Sequence, residues 1–340
     1  EDQAMKAMQL FELAPFEELP LQPVDLPIPQ PARGQALLRV QACGVCRTDL
    51  HICEGELIPP RYPVIPGHQA VGTVEMIGEG VEGLDISQRV GVAWLGWACG
   101  KCAFCLRGEE NLCSQARFTG FHVPGGYAEW MTADARFVFP LPPELSERQA
   151  APLLCAGIIG YRALRKTGLQ PGERLGLFGF GASAHLAIQI AQFWGCEVFV
   201  FTRSRNHQQH AEALGAAWVG RTDEAPPVPL DRAVSFAPAG EIVPLALAAL
   251  RPGGTLAINA VHASPISELP YRLIYGERVL TTVTNATRQD GIELLDLAVK
   301  IPLHSDTVIY PLEDANEALV DLKHSRLNGE AVLEVGSLLG

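Results

Sequence analysis

Short β-branched and apolar runs, separated by turn residues, fill the first half of the chain. Ala36 to Val40, Val71 to Ile77 and Arg89 to Val92 read as strands between Pro- and Gly-rich connections, which predicts a mainly β, loop-rich domain. From about Ala156 the texture changes to strand and helix in alternation, the pattern that builds a parallel sheet with helices on both faces. The strands expected there are Leu175 to Phe178, Glu197 to Thr202, Ala233 to Phe236, Thr255 to Asn259 and Val279 to Thr284. The helical runs between them are Ser183 to Trp194, Gln208 to Leu214 and Glu241 to Leu250, with Arg251-Pro252-Gly253-Gly254 as a stop signal. Gln289 to Lys300 and Glu313 to His324 are read as two further helices, and Ala331 to Val335 as a closing strand that returns to the first domain. The fold class is therefore α/β, a β-rich domain joined to a doubly wound parallel sheet.

Length agrees with two domains, since 340 residues exceed what one hydrophobic core usually serves. The boundaries expected are 1–155 with 286–340 for one domain and 156–285 for the other. A composition 48% hydrophobic and 19% charged excludes a disordered chain, and a formal charge of -12 argues against a nucleic-acid partner. No run of about 18 apolar residues suggests a membrane span, and the segment Met5-Lys6-Ala7-Met8 lacks the apolar core of a signal peptide. A cytoplasmic location follows as the expectation, and there nine cysteines read as thiolate ligands and reduced thiols in place of disulfides.

Their clustering is informative. Cys99, Cys102, Cys105 and Cys113 fall within one fifteen-residue loop, and four thiolates match a closed, tetrahedral, structural zinc that leaves no room for substrate. A second set is dispersed over Cys46-Arg47-Thr48-Asp49-Leu50-His51, Gly67-His68-Gln69 and Cys155-Ala156-Gly157. Together they can supply Cys46, His68 and Cys155 as three ligands, the open arrangement of a catalytic metal. Farther on, Leu175 to Phe178 runs into Gly179-Phe180-Gly181-Ala182-Ser183-Ala184, a strand, glycine turn and helix of the dinucleotide-binding kind. Gly179 permits the turn, Gly181 the approach of a pyrophosphate, and Ala184 close packing of helix on strand. The next strand ends in Thr202-Arg203-Ser204-Arg205, with no acid to hold a ribose hydroxyl pair. Hydroxyls and guanidinium forks suit a 2′-phosphate, so NADP(H) is favoured and NAD(H) stays open.

In order and spacing, this set resembles the zinc-containing medium-chain alcohol dehydrogenases over nearly the whole length, with Asp231 to Pro238, Leu269 to Glu277 and Thr287 to Gly291 most like a bacterial branch. The resemblance implies a GroES-like catalytic domain, a Rossmann cofactor domain, a cleft between them, and two zinc ions per chain. By it Cys46, His68 and Cys155 hold the catalytic zinc and Asp49 accepts a hydrogen bond from the His68 ring, although a helix N-terminal carboxylate at Asp49 would also satisfy free amides. Thr48 and His51, three residues apart on one helix face, match the family's proton relay from alcohol to solvent. The chain departs from the family at Gln69, where a glutamate is usual. Trp94 sits where the family narrows its substrate pocket, with Leu95 and Trp97 beside it, which favours a primary alcohol or aldehyde. Relatives form dimers or tetramers, so a homodimer or homotetramer is expected. Two readings compete with alcohol oxidation: a catalytically silent nucleotide-binding protein, and a zinc-free quinone or enone reductase of the same superfamily.

Overall fold

A computed structural model describes residues 4–261, 263–327 and 329–336. The chain divides into two compact units. One comprises Glu1–Cys155, Thr287–Val299 and Ser305–Gly340; the other comprises Ala156–Ala286 and Lys300–His304. Ala286 and Lys300–His304 thus differ from the boundaries expected from sequence. The short excursion has a local cause: the Gln189 carboxamide donates to the His304 carbonyl at 2.8 Å and accepts from its N–H at 3.1 Å, tying that segment to the helix Ala182–Phe193.

In the first unit a seven-stranded sheet runs in the order Thr307–Pro311, Glu330–Glu334, Gln35–Gly44, Ala70–Ile77, Arg89–Val92, Val138–Pro140, and Trp130–Asp134 pairs with one half of Gln35–Gly44. Gln35–Gly44 is the organising strand. Seven of its ten residues are buried, because antiparallel neighbours cover both its edges. The core on this sheet gathers Leu38, Val40, Val74, Val90, Met131 and Leu333. The closing strand, Glu330–Glu334, pairs Val332 with Gly44 and Leu333 with Cys43, so the end of the chain lies beside the start of the helix Arg47–Cys53.

The second unit is a six-stranded sheet, parallel throughout, in the order Trp218–Gly220, Glu197–Phe201, Arg174–Phe178, Leu230–Ser235, Leu250–Ile258, Val279–Thr282. The first strand in sequence lies inside the sheet, and the order reverses between it and Leu230–Ser235, which makes the switch point where such sheets bind ligands. Leu175 to Phe178 and Val198 to Phe201 are buried without interruption, as strands covered on both faces must be. Arg251-Pro252-Gly253-Gly254, read as a stop, lies within the strand Leu250–Ile258. The register explains it: Leu230 pairs with Leu250 but Arg232 with Thr255, so the four residues are accommodated as an irregularity in the ladder.

Candidate active site

Cys46 leaves the extended backbone and caps the helix Arg47–Cys53. Its N–H donates to Asp49 Oδ2 at 2.9 Å, which closes the first turn. Asp49 is fully buried and accepts three more hydrogen bonds: from Gly67 N–H and His68 Nδ1 on Oδ1, both at 3.2 Å, and from the Tyr127 hydroxyl on Oδ2 at 3.2 Å. Gly67 is required there. Its φ is +95°, and a Cβ would stand 2.4 Å from the Tyr127 ring. One carboxylate thereby fixes the capping cysteine, the turn before His68 and the His68 ring.

Cys46, His68 and Cys155 each present a donor atom within 4.8 Å of the others, and the two sulfurs are 3.8 Å apart. Cys155 arrives on a π-helical turn, Leu153–Gly157, a local widening that often marks functional positions. With Nδ1 committed to Asp49, His68 Nε2 is buried and has no partner among the described residues, as a donor waiting for a metal would be. Burial works against a charge on His68, but the Asp49 carboxylate and then Cys46 outweigh it and raise its pKa to about 10. Cys46 is held well below the usual thiol range by the Cys155 thiol, against burial and with help from His68; Cys155 is correspondingly raised. Two thiols and one imidazole, the ring held from behind by the Asp49 carboxylate, form a donor set that suits Zn2+.

The Thr48 hydroxyl lies 3.7 Å from Cys46 Sγ. His51 Nδ1 makes a close contact with the Glu56 carboxylate, and nothing in the spacing of the sequence links Glu56 to the helix. Trp94 meets the His68 ring edge-on at 5.0 Å and stacks on Phe118 at 4.9 Å, with Phe121 at 5.9 Å. Phe118 and Phe121 were not foreseen, although the run Phe118-Thr119-Gly120-Phe121 just beyond the fourth cysteine was visible. Leu95 needs correction as a pocket residue. At the start of the strand Leu95–Trp97, it is buried with Ala98, Cys113 and Phe137 in the core of the cysteine lobe. Trp97 carries the Arg117 guanidinium over its ring at 5.5 Å.

Cys99, Cys102, Cys105 and Cys113 form the second donor group, again within 4.8 Å. The N–H groups of Lys101 and Cys102 lower the Cys99 pKa to about 6, while burial and the Cys102 thiol push Cys105 up to about 12. Buried Glu110 fastens the lobe by accepting from Arg288 N–H at 2.9 Å and Nε at 3.2 Å.

In the second unit, Gly179 takes φ +87° against Ala237, and Gly181 caps the helix Ala182–Phe193. Gly181 is exposed and a Cβ on it would stand in open space, so its backbone is free to be approached; Ala182 and Ser183 are half-buried, Phe180 is buried with its carbonyl 3.2 Å from His185 Nε2, and Ala184 is buried. Ser235, ending the neighbouring strand, has a buried hydroxyl without a partner among the described residues and was not foreseen. Thr202 is buried. Ser204 caps the helix Arg205–Ala213, accepting from His207 N–H at 3.3 Å. Arg203 and Arg205 are exposed beside it. No described helix is long and apolar enough to cross a membrane.

Residues 32–143 match the alcohol dehydrogenase GroES-like domain and residues 184–300 the zinc-binding dehydrogenase family. A probable alcohol dehydrogenase, AdhA, of Mycobacterium tuberculosis is 46% identical over 335 residues, 97% of either chain. An alcohol dehydrogenase of Geobacillus stearothermophilus is 34% identical over 330 residues, 93% of this chain and 96% of the relative. A solved cinnamyl alcohol dehydrogenase from Sorghum bicolor superposes with a TM-score of 0.89 at 26% identity, covering 99% of each chain. Matched over nearly its whole length in sequence and in fold, the chain belongs to the zinc-containing medium-chain alcohol dehydrogenase family.

Proposed function

We propose that the protein is a reversible alcohol dehydrogenase that interconverts a small alcohol and its aldehyde or ketone, with zinc held by Cys46, His68 and Cys155 and a nicotinamide dinucleotide held at the Gly179–Ala184 turn. The observation that carries this is the orphaned His68 Nε2 between two thiols, its ring fixed from behind by Asp49. When bound, zinc polarises the substrate oxygen and nicotinamide accepts or returns the hydride. Asp49 holds a proton on Nδ1, so that Nε2 is the nitrogen that gives up its proton when a metal binds. The Thr48 hydroxyl, beside Cys46, would accept the alcohol proton as it gives up its own toward His51. His51, partly exposed and paired with Glu56, exchanges it with solvent. Trp94, backed by Phe118 and Phe121, walls the site beside His68 and suits primary alcohols or aldehydes.

A second zinc belongs to the four-cysteine lobe as a brace. Arg203 and Arg205, exposed at the start of the helix Arg205–Ala213, favour NADP(H) over NAD(H). Val279–Thr282 is the edge of the six-stranded sheet, and Val279, Tyr271 and Tyr275 near it are 49%, 71% and 69% exposed, which supports pairing of two such edges in a homo-oligomer. All nine cysteines are free thiols, as a reducing cytoplasm would keep them. The test is metal content together with a screen of alcohols and aldehydes against both nicotinamides. Two zinc ions per chain and reduction of NADP by primary alcohols are expected. A protein with bound zinc that turns over none of them would remove the reading.

A further inference from the structure

Buried polar atoms without partners mark where something is missing, and beyond His68 Nε2 the metal centre is flanked by more of them. Both polar atoms of the Gln69 side chain are buried without a partner among the described residues, and so is Oε1 of Glu330. Gln69 leans on the backbone of Gly44: a Cβ there would come within 2.9 Å of its Cδ. Glu330 comes from the other end of the chain. Val332 pairs with Gly44, and Val45 N–H donates to the Ala331 carbonyl at 2.9 Å, so the same antiparallel register carries Glu330 to the level of Cys46. Burial first, and then the Cys46 sulfur, raise the pKa of its carboxyl well above the usual range, and the carboxyl in turn helps to raise Cys155. An acid buried to 6% exposure, with one oxygen lacking a partner among the described residues, is costly as an anion unless a cation joins it.

We propose that Glu330 is a positioning residue of the Cys46–His68–Cys155 centre, its carboxylate retaining the divalent metal from beside the two thiols where Gln69 supplies no charge. This rests on the reading of that cluster as a zinc site. Glu330 does not belong to the group whose donor atoms lie within 4.8 Å of one another, so it acts from outside the ligand set. Nor does sequence position point to it: it lies more than 170 residues beyond Cys155. A carboxylate close to a dication in a medium of low dielectric slows the ion's escape, and partners of this kind typically change metal affinity by about 10–100-fold.

The test uses the zinc-loaded, full-length protein and an excess of a chromogenic zinc chelator, with the two equivalents resolved as separate phases of release. E330Q should lose the equivalent at Cys46, His68 and Cys155 about 10–100-fold faster while release from the four-cysteine lobe is unchanged, which also reports that the variant is folded. E330D, read beside it, keeps the acid but draws it back by one methylene and should also release faster. Replacing Gln69 by Glu in the E330Q background puts a carboxylate on the other side of the cluster and should slow the release again. Substituting Co2+ for zinc gives a readout independent of turnover, since its visible thiolate bands should shift in E330Q. Wild-type release rates in whichever of E330Q and E330D is folded would overturn this assignment alone. Wild-type protein that takes up zinc only at the four-cysteine lobe would overturn the functional reading, and this one with it.

Discussion

Replacing Asp49 by Asn keeps the size of the side chain and removes half of what it does. The carboxylate receives four donors on two oxygens, with Gly67 N–H and His68 Nδ1 on one and Cys46 N–H and the Tyr127 hydroxyl on the other. A carboxamide has one oxygen. If that oxygen stays toward His68, the new NH2 faces Cys46 N–H, a backbone donor that cannot turn away, while the Tyr127 hydroxyl can rotate and accept. If it is flipped, Gly67 N–H is orphaned, and the NH2 drives His68 toward the tautomer protonated on Nε2, which cannot ligate a metal. Either orientation leaves one buried backbone N–H unsatisfied, about 1–3 kcal/mol, and weakens the remaining bonds by removing the charge. The zinc-free form of D49N should therefore be less stable by about 2–4 kcal/mol in urea unfolding, and metal retention at Cys46, His68 and Cys155 should fall by about 10–100-fold. Zinc-free D49N within about 0.5 kcal/mol of wild type, together with unchanged zinc content after dialysis, would show that the four-donor arrangement does not position the site.

Cys46→Ser should abolish turnover in a protein that still folds, whereas Cys102→Ser should lower Tm with activity per folded molecule largely kept; equal loss of Tm in both, with activity following folded fraction, would contradict two separate metal roles. Replacing Arg203 and Arg205 together by Ala removes charge-assisted hydrogen bonds worth about 1.5–3 kcal/mol each, so KM for NADPH should rise steeply while that for NADH scarcely moves, and a wild-type kcat/KM higher with NADH would end the NADP assignment. Val279→Asp on the exposed sheet edge should reduce the oligomer measured by light scattering without loss of Tm at low protein concentration, and an unchanged mass would place the interface elsewhere. The Asp231 carboxyl is held below its usual range, because Arg174 N–H and Arg251 outweigh the cost of burial. Its contribution is present above the unfolded pKa of about 3.9 and is lost as pH falls through the lower folded value, so the Tm deficit of Asp231→Asn at neutral pH should shrink below about pH 4.

Spacing made part of this site readable. Four cysteines in fifteen residues have few arrangements other than one metal, and a glycine turn between a fully buried strand and a helix has few besides a dinucleotide cradle, because in both cases chain neighbours are space neighbours. The Cys46, His68 and Cys155 group is harder: its members are 22 and 87 residues apart, and nothing local distinguishes Cys155 from a core thiol until the π-helical turn presents its sulfur. Tyr127, Glu56 and Glu330 could not be read at all. A tyrosine after two glycines looks like any strand residue, yet Gly67 leaves the space its ring needs, and its hydroxyl donates to Asp49. Glu330 opens an apolar strand, where an acid normally marks the solvent side. It is buried because that strand inserts between Gln35–Gly44 and Thr307–Pro311, and the register of the insertion, which no linear pattern encodes, brings it to the level of Cys46. Leu95 is a different case. Its neighbour Trp94, at the bend before the strand Leu95–Trp97, packs on His68, while Leu95 enters the core of the cysteine lobe, so adjacency in sequence does not make both of them pocket residues. Residues brought in by pairing across a sheet become visible only once register is known, and Glu330 is the clearest case in this protein.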